Sequence, residues 1–212
     1  MKVLVIGATG GTGRHLVRQL LARGDQVTTW VRRPGTLSAE AAVAGGRLRI
    51  VEGEARDSAS IERAVAGQDA VVVAFAPRSR RRDDLQEALY RNLVAAMRSQ
   101  GVRRLVNLSA WGLDNDGAIP PPWIFRYVIR PVFLRHVWED KRRGEAIVRA
   151  SGLDWINVQP GRLLDAPARG GVRASADGRG LVPQMNREDL AAFMIEQLDR
   201  GEWVRKPVVI GY

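Results

Sequence analysis

Three glycines at three-residue spacing, Gly7, Gly10 and Gly13, stand between a short apolar run and an amphipathic stretch. The run is Val3, Leu4, Val5 and Ile6, and it suits a strand buried on both faces of a parallel sheet. Beyond the glycines Leu16, Val17, Leu20 and Leu21 recur at helical spacing, with Gly24 as the stop. A strand, a glycine turn and a helix in that order set a helix N-terminus beside the carboxyl end of the strand. Its free N–H groups and positive dipole end make a site for a pyrophosphate. Each glycine has a task there: a tight turn, close approach of backbone to phosphate, and close packing of helix on strand. A merely glycine-rich loop is the alternative, but the strand before and the helix after favour dinucleotide binding.

At 212 residues the chain fits one α/β domain with a sizeable core. The order of elements predicts a doubly wound, mostly parallel sheet, a Rossmann fold, over residues 1–212. The chain has no cysteine, which excludes disulfides and thiolate chemistry. His15 and His136 lie far apart, so no metal site is expected. The first apolar run is too short for a signal peptide and no long uncharged stretch follows, so a cytoplasmic location is expected. The net charge is +10, and 30 of the 33 basic residues are arginine. These are spread along the chain without a nucleic-acid motif, which argues against nucleic acid. Such a field attracts anionic cofactors or substrates.

Residues 26–31 read as a second strand ending on Arg32-Arg33-Pro34-Gly35. In dinucleotide folds an acid at this strand end binds the ribose 2′-hydroxyl, and arginine accommodates a 2′-phosphate. Two arginines and no acid favour NADP(H) over NAD(H), unless both are plain loop charges. A short helix is expected at 38–44, a third strand at 48–52, and a helix carrying Ile61, Ala64 and Val65, capped by Asp57 or Ser58. Glu54 is placed to accept from an adenine amine or to remain solvated. Residues 70–75 are a fourth strand, 83–100 a helix and 104–108 a fifth strand. Ser109 follows at its carboxyl end, where ligands of such sheets gather. It can meet substrate or nicotinamide, or satisfy loose backbone groups.

Residues 112–122 are loop, and 123–138 are apolar nearly all round with Pro131 as an interruption. This stretch reads as a pocket wall or a homodimer interface in preference to a membrane-surface helix. A helix at 139–150, a strand at 153–159, the turn Pro160-Gly161-Arg162 and a short strand at 172–174 follow. Asn186 is expected to cap a helix over 187–198, and 208–210 to be the last strand.

Several motifs then coincide: Gly7-Ala-Thr-Gly-Gly-Thr-Gly13, Val31-Arg-Arg, Val65-Ala-Gly-Gln-Asp, Asn92-Leu-Val-Ala-Ala-Met97, the strand ending in Ser109, Ser151-Gly-Leu-Asp-Trp155 and Gln159-Pro-Gly161. Over almost its whole length the chain resembles the atypical short-chain dehydrogenase/reductases. The branch it resembles includes biliverdin IXβ reductase/flavin reductase, with NmrA-like proteins as more distant relatives. The resemblance implies that Gly7, Thr9, Gly10, Gly11, Thr12 and Gly13 hold the pyrophosphate, and Arg32 and Arg33 the 2′-phosphate. It implies Glu54 near the adenine, Ala74, Phe75 and Ala76 along the nicotinamide ribose, and Pro160 and Gly161 at the nicotinamide. Ser109 matches the family's active-site serine. Lys141 is either a cofactor-ribose contact and charge stabiliser or an exposed lysine. Trp111, Trp123, Tyr127 and Trp138 are assigned to the substrate wall, an insertion at about 112–138.

One departure bears on the chemistry. A standard short-chain dehydrogenase carries Tyr-x-x-x-Lys, and four residues before Lys141 stands Val137. The resemblance therefore implies reduction of a flat conjugated small molecule, of flavin, quinone or enone type, with hydride from NADPH and a proton from solvent or substrate. A non-catalytic NADP(H) sensor of NmrA-like type is a second expectation. Isomerase or cyclase chemistry with the cofactor as a fixture is a third.

Overall fold

A computed structural model describes residues 1–37, 44–76, 84–113 and 135–212. The expected helix at 38–44 lies outside these apart from Ala44. So do the wall residues Trp123 and Tyr127, and most of the insertion at 112–138.

The glycine turn stands between β1 (Lys2–Ile6) and α1 (Gly11–Arg23), followed by β2 (Gln26–Val31) and a 3-10 turn at Pro34–Leu37. Next come β3 (Leu48–Glu52), α2 (Ser58–Val65), β4 (Ala70–Val73), α3 (Leu85–Ser99) and β5 (Arg104–Leu108). Helix α4 (Arg135–Arg149) leads to β6 (Asp154–Pro160) and the short strands β7 (Arg162–Leu164), β8 (Arg173–Ser175) and β9 (Gln184–Asn186). Helix α5 (Arg187–Glu196) and β10 (Lys206–Gly211) complete the order.

The sheet runs β3-β2-β1-β4-β5-β6-β10-β8. Its neighbours are parallel except that β8 is antiparallel to β10. Strands β7 and β9 pair in a separate parallel ribbon. This is the single-domain, doubly wound α/β architecture expected, and its strand order reverses between β2-β1 and β1-β4. The crevice at such a switch point, outside the carboxyl ends of the strands, is where these sheets take ligands.

Alternate residues of β1 feed two cores. Val3 and Val5 join Leu16, Val17 and Leu20 of α1 and Leu190, Ala191 and Met194 of α5. Leu4 and Ile6 face Ile61 of α2, Leu89 and Leu93 of α3, and Val148 of α4. Full burial contributes about 1.5–3 kcal/mol for each such side chain. The sheet is thus covered on both sides, which explains the unbroken apolar runs of β1 and β4.

Some expectations change. Helix α4 begins at Arg135, four residues early, with an Arg135–Glu139 ion pair at 3.0 Å along its first turn. Asn186 occupies the N-cap position of α5, yet its side chain caps nothing and donates to Pro167 O at 2.7 Å. Arg162, expected in a turn, opens β7, and β9 was not foreseen. Asp57 does cap α2, accepting from Ser60 N at 3.1 Å.

Candidate cofactor and active site

Gly7 leaves β1 at φ +88°, and a Cβ there would stand 2.4 Å from Ala74 O, at the end of β4. A Cβ on Gly13 would stand 2.0 Å from Gly7 O. Side chains at these positions would force the turn away from β4 and α1 away from the turn. Gly10 N–H donates to Gly7 O at 3.0 Å, and Gly10 takes the N-cap position of α1 without a side-chain cap. The N–H groups of Gly11, Thr12 and Gly13 that follow have no intrahelical acceptor. Thr12 is buried, Thr9 and Gly10 are half-buried, and Gly11 is exposed. The turn therefore presents bare amides and no carboxylate, which fits a diphosphate.

One further cation lies at this turn. Arg187, the first residue of α5, passes over Gly11, where a Cβ would meet its Cδ at 2.7 Å. Its Nη1 donates to Thr12 Oγ1 at 3.5 Å, and its Nε donates to Asp165 Oδ1 at 2.7 Å.

On the β2–β3 side, Arg32 and Arg33 follow β2 and are exposed. Arg33 O accepts from Thr36 N at 3.2 Å and Thr36 Oγ1 at 2.7 Å, which tightens the turn behind the two guanidinium groups. Glu54 is exposed beyond the end of β3. On the other side of β1, Ala74 and Phe75 are half-buried past β4 and Ala76 is exposed. Ser109 N–H donates to Val158 O at 2.7 Å and Trp111 N–H to Pro160 O at 3.0 Å. These bonds extend the β5–β6 ladder and bring Ser109, Trp111 and Pro160 together, with Gly161 next in chain. Trp138 is half-buried on α4.

Ser109 is buried, and its Oγ–H donates to Glu145 Oε2 at 2.5 Å. The other oxygen, Glu145 Oε1, accepts from Asn157 Nδ2 at 2.9 Å and Arg149 Nη2 at 3.2 Å. Asn157 Oδ1 accepts from Asn107 Nδ2 at 2.9 Å, and Asn107 Oδ1 accepts from the Tyr90 hydroxyl. Burial, reinforced by Glu145 and Asp140, holds the Tyr90 phenol protonated well above its ordinary range. These bonds join Ser109 to Tyr90 through Glu145, Asn157 and Asn107, and a buried chain of this kind favours one arrangement of its members.

Lys141 is half-buried and donates from Nζ to Leu108 O at 2.9 Å, at the carbonyl preceding Ser109. Burial pushes its ammonium below the usual lysine range, against the opposite pull of Glu145 and Asp140. Asp140 itself is buried and accepts from Gln86 N at 2.9 Å and Glu87 N at 3.2 Å, tying α4 to the start of α3.

Sequence reasoning missed Arg187, Glu145, Asn107, Asn157 and Tyr90 as members of this region. A signal existed for three of them. Asn107 stands between Val106 and Leu108 and Asn157 between Ile156 and Val158, and a polar residue set between apolar strand neighbours must find a partner. Arg187 opposes the dipole at a helix N-terminus, a misfit that asks for an anion nearby.

The profile of the NAD(P)H-binding family matches residues 7–201. The chain belongs to that family. The NAD(P)H-binding chain is 36% identical over 132 residues to Sterol demethylase protein B of Methylococcus capsulatus, covering 58% of this chain and 39% of that protein. It is 30% identical over 206 residues to (4-alkanoyl-5-oxo-2,5-dihydrofuran-3-yl)methyl phosphate reductase of Streptomyces griseus, covering 92% of this chain and 62% of that protein. It thus spans less than two thirds of the length of either relative. Among solved structures, an anaerobillin reductase from Escherichia coli superposes with a TM-score of 0.81 at 19% identity, over 100% of this chain and 97% of that one. That likeness is one of fold. No helix among the described residues is long and apolar enough to cross a membrane.

Proposed function

We propose that this NAD(P)H-binding protein is an NADPH-dependent reductase of a flat, conjugated, apolar small molecule of flavin, quinone or enone type. The observation that carries the reading is the Ser109 site. A buried serine stands at the carboxyl end of β5, and Val137 stands four residues before Lys141. The two tyrosines among the described residues are engaged elsewhere: Tyr90 donates to Asn107, and Tyr212 donates to Asp189. Neither serves as the acid that alcohol–ketone chemistry requires, whereas a conjugated acceptor can take its proton from solvent.

When bound, the reduced nicotinamide supplies a hydride. The bare amides of the glycine turn bind the diphosphate, with Arg187 beside them, and Arg32 and Arg33 bind the 2′-phosphate in preference to a bare ribose. Ala74, Phe75, Ala76, Pro160 and Gly161 line the nicotinamide end. Ser109 orients the reacting groups, Lys141 holds the strand end that carries it, and Trp111 and Trp138 exclude water. The Streptomyces relative's name, a reductase of a 5-oxo-2,5-dihydrofuran, supports an unsaturated acceptor.

The test is to mix the protein with NADPH and a panel of flavins, quinones and enones, following the near-ultraviolet absorbance of the reduced nicotinamide. Oxidation dependent on one acceptor class is expected. Tight NADPH binding with no oxidation by any acceptor would establish a cofactor sensor instead. Product formed without net oxidation would establish an isomerase or cyclase.

A further inference from the structure

The hydrogen bonds around Glu145 have a direction. A carboxylate only accepts, so Asn157 must turn its amide nitrogen to Glu145 and its oxygen to Asn107. Asn107 must then turn its oxygen to Tyr90, whose hydroxyl donates. Arg149 can only donate, and it does so to the oxygen that Asn157 uses. The second carboxylate oxygen takes the single proton of Ser109. Every rotor and amide in the chain is thereby assigned, and all of them point their donors toward Glu145. The serine at the candidate site is left with lone pairs and no proton to offer.

We propose that Glu145 is a positioning residue that fixes Ser109 as a hydrogen-bond acceptor for the N–H of the cofactor's carboxamide, and that Ser109 is therefore not a proton donor to substrate. The inference rests on the placement of the nicotinamide beside Ser109 given above. The carboxamide carries two N–H donors, and one of them meets the free lone pair of Ser109 Oγ. Lys141, bonded to Leu108 O, keeps the backbone at Ser109 in place while Glu145 sets the rotation of its hydroxyl.

Glu145→Gln reverses this polarity without changing shape. Asn157 and Arg149 hold the amide oxygen of the new side chain on their side, so its NH2 faces Ser109 and donates to Oγ. The serine proton then turns outward, and Ser109 becomes a donor. Ser109→Ala removes the contact altogether.

The experiment compares the dissociation constants of NADPH and of its 3-acetylpyridine analogue, whose methyl ketone accepts but cannot donate. The wild type is expected to prefer NADPH by about three- to tenfold, the loss of one hydrogen bond. Ser109→Ala brings the ratio close to one, and Glu145→Gln shifts it further, toward the ketone. Adenosine 2′,5′-bisphosphate, which lacks the nicotinamide, binds all three proteins equally and shows that the rest of the site is intact. An unchanged ratio in Glu145→Gln, with NADPH still bound, overturns the inference, as does a wild type that prefers the ketone. If Glu145→Gln does not fold, the Ser109→Ala ratio decides alone, and equality with the wild type is the overturning result. The readout is binding, so a protein that binds NADPH but reduces nothing would sink the proposed reaction and leave this inference standing.

Discussion

Arg187 lies across Gly11, its Cδ only 2.7 Å from where a Cβ on that glycine would stand. The first residue of α5 thus closes over the first residue of α1, from 176 positions further along the chain. The missing side chain at Gly11 leaves room for this arginine.

Because a diphosphate is common to both pyridine nucleotides, Arg187→Ala is expected to weaken NADPH and NADH by the same factor. A charge-assisted hydrogen bond contributes about 1.5–3 kcal/mol, and release from Asp165 offsets part of it, so roughly three- to tenfold is expected. Asp165→Asn removes that competing ion pair and tightens both. Calorimetric titration measures all four combinations; unequal factors would place Arg187 elsewhere on the cofactor.

Arg32→Ala combined with Arg33→Ala acts on one nucleotide only. The NADPH dissociation constant is expected to rise by roughly ten- to a hundredfold, with little change for NADH. Equal rises for both would remove the 2′-phosphate from these two side chains.

Tyr90→Phe leaves Asn107 Oδ1 buried without its donor. The cost of a buried unsatisfied acceptor is about 1–3 kcal/mol, and in a chain of this size each kcal/mol lowers Tm by roughly 2–4 °C. Thermal unfolding of the variant without cofactor checks this. A Tm equal to that of the wild type would mean that the hydroxyl contributes nothing to the network.

Asp189 couples α5 to the segment before it and to Tyr212. It accepts from Tyr212 Oη at 2.6 Å, Arg169 N at 2.8 Å and Gly170 N at 3.0 Å. Burial raises its pKa, but these donors outweigh it and hold the carboxyl below its usual range. A depressed carboxylate stabilises the fold above the unfolded value, about pH 4, and that contribution is lost as pH falls through the lower folded value. Asp189→Asn should lower Tm at neutral pH by an amount that shrinks below about pH 4. At the alkaline end the same contact acts in reverse. Burial and Asp189 hold the Tyr212 phenol above its usual range, so its contribution persists to about pH 10 and is lost above it. A difference in Tm that stays constant through the acid range would contradict this assignment.

How much of this could be read beforehand follows from the range of each signal. The strand runs, the glycine turn and the caps are local, so Val3 to Ile6, Gly7 to Gly13 and Asp57 announced themselves. Asn186 carried the same local signal as Asp57 and misled, because Pro167 O competes for its side chain. Ser109 was legible from its place at a strand end, but its partner Glu145 lies 36 positions away on α4 and looks in sequence like any other helical acid. Tyr90 looks in sequence like any other aromatic residue of a helix. Its tie to Asn107 exists once α3 lies against β5, and no spacing rule contains that information.

The reversal of strand order at β1 has one more consequence. The arginines stand past β2 on one flank, and Ser109 stands past β5 on the other, with β1 and β4 between them. Under the roles proposed above, nucleotide choice and hydrogen-bond polarity would be set at separate rims of the sheet. Changes at the two rims should combine as independent factors, so coenzyme preference can be exchanged by mutation while the machinery around the serine stays as it was.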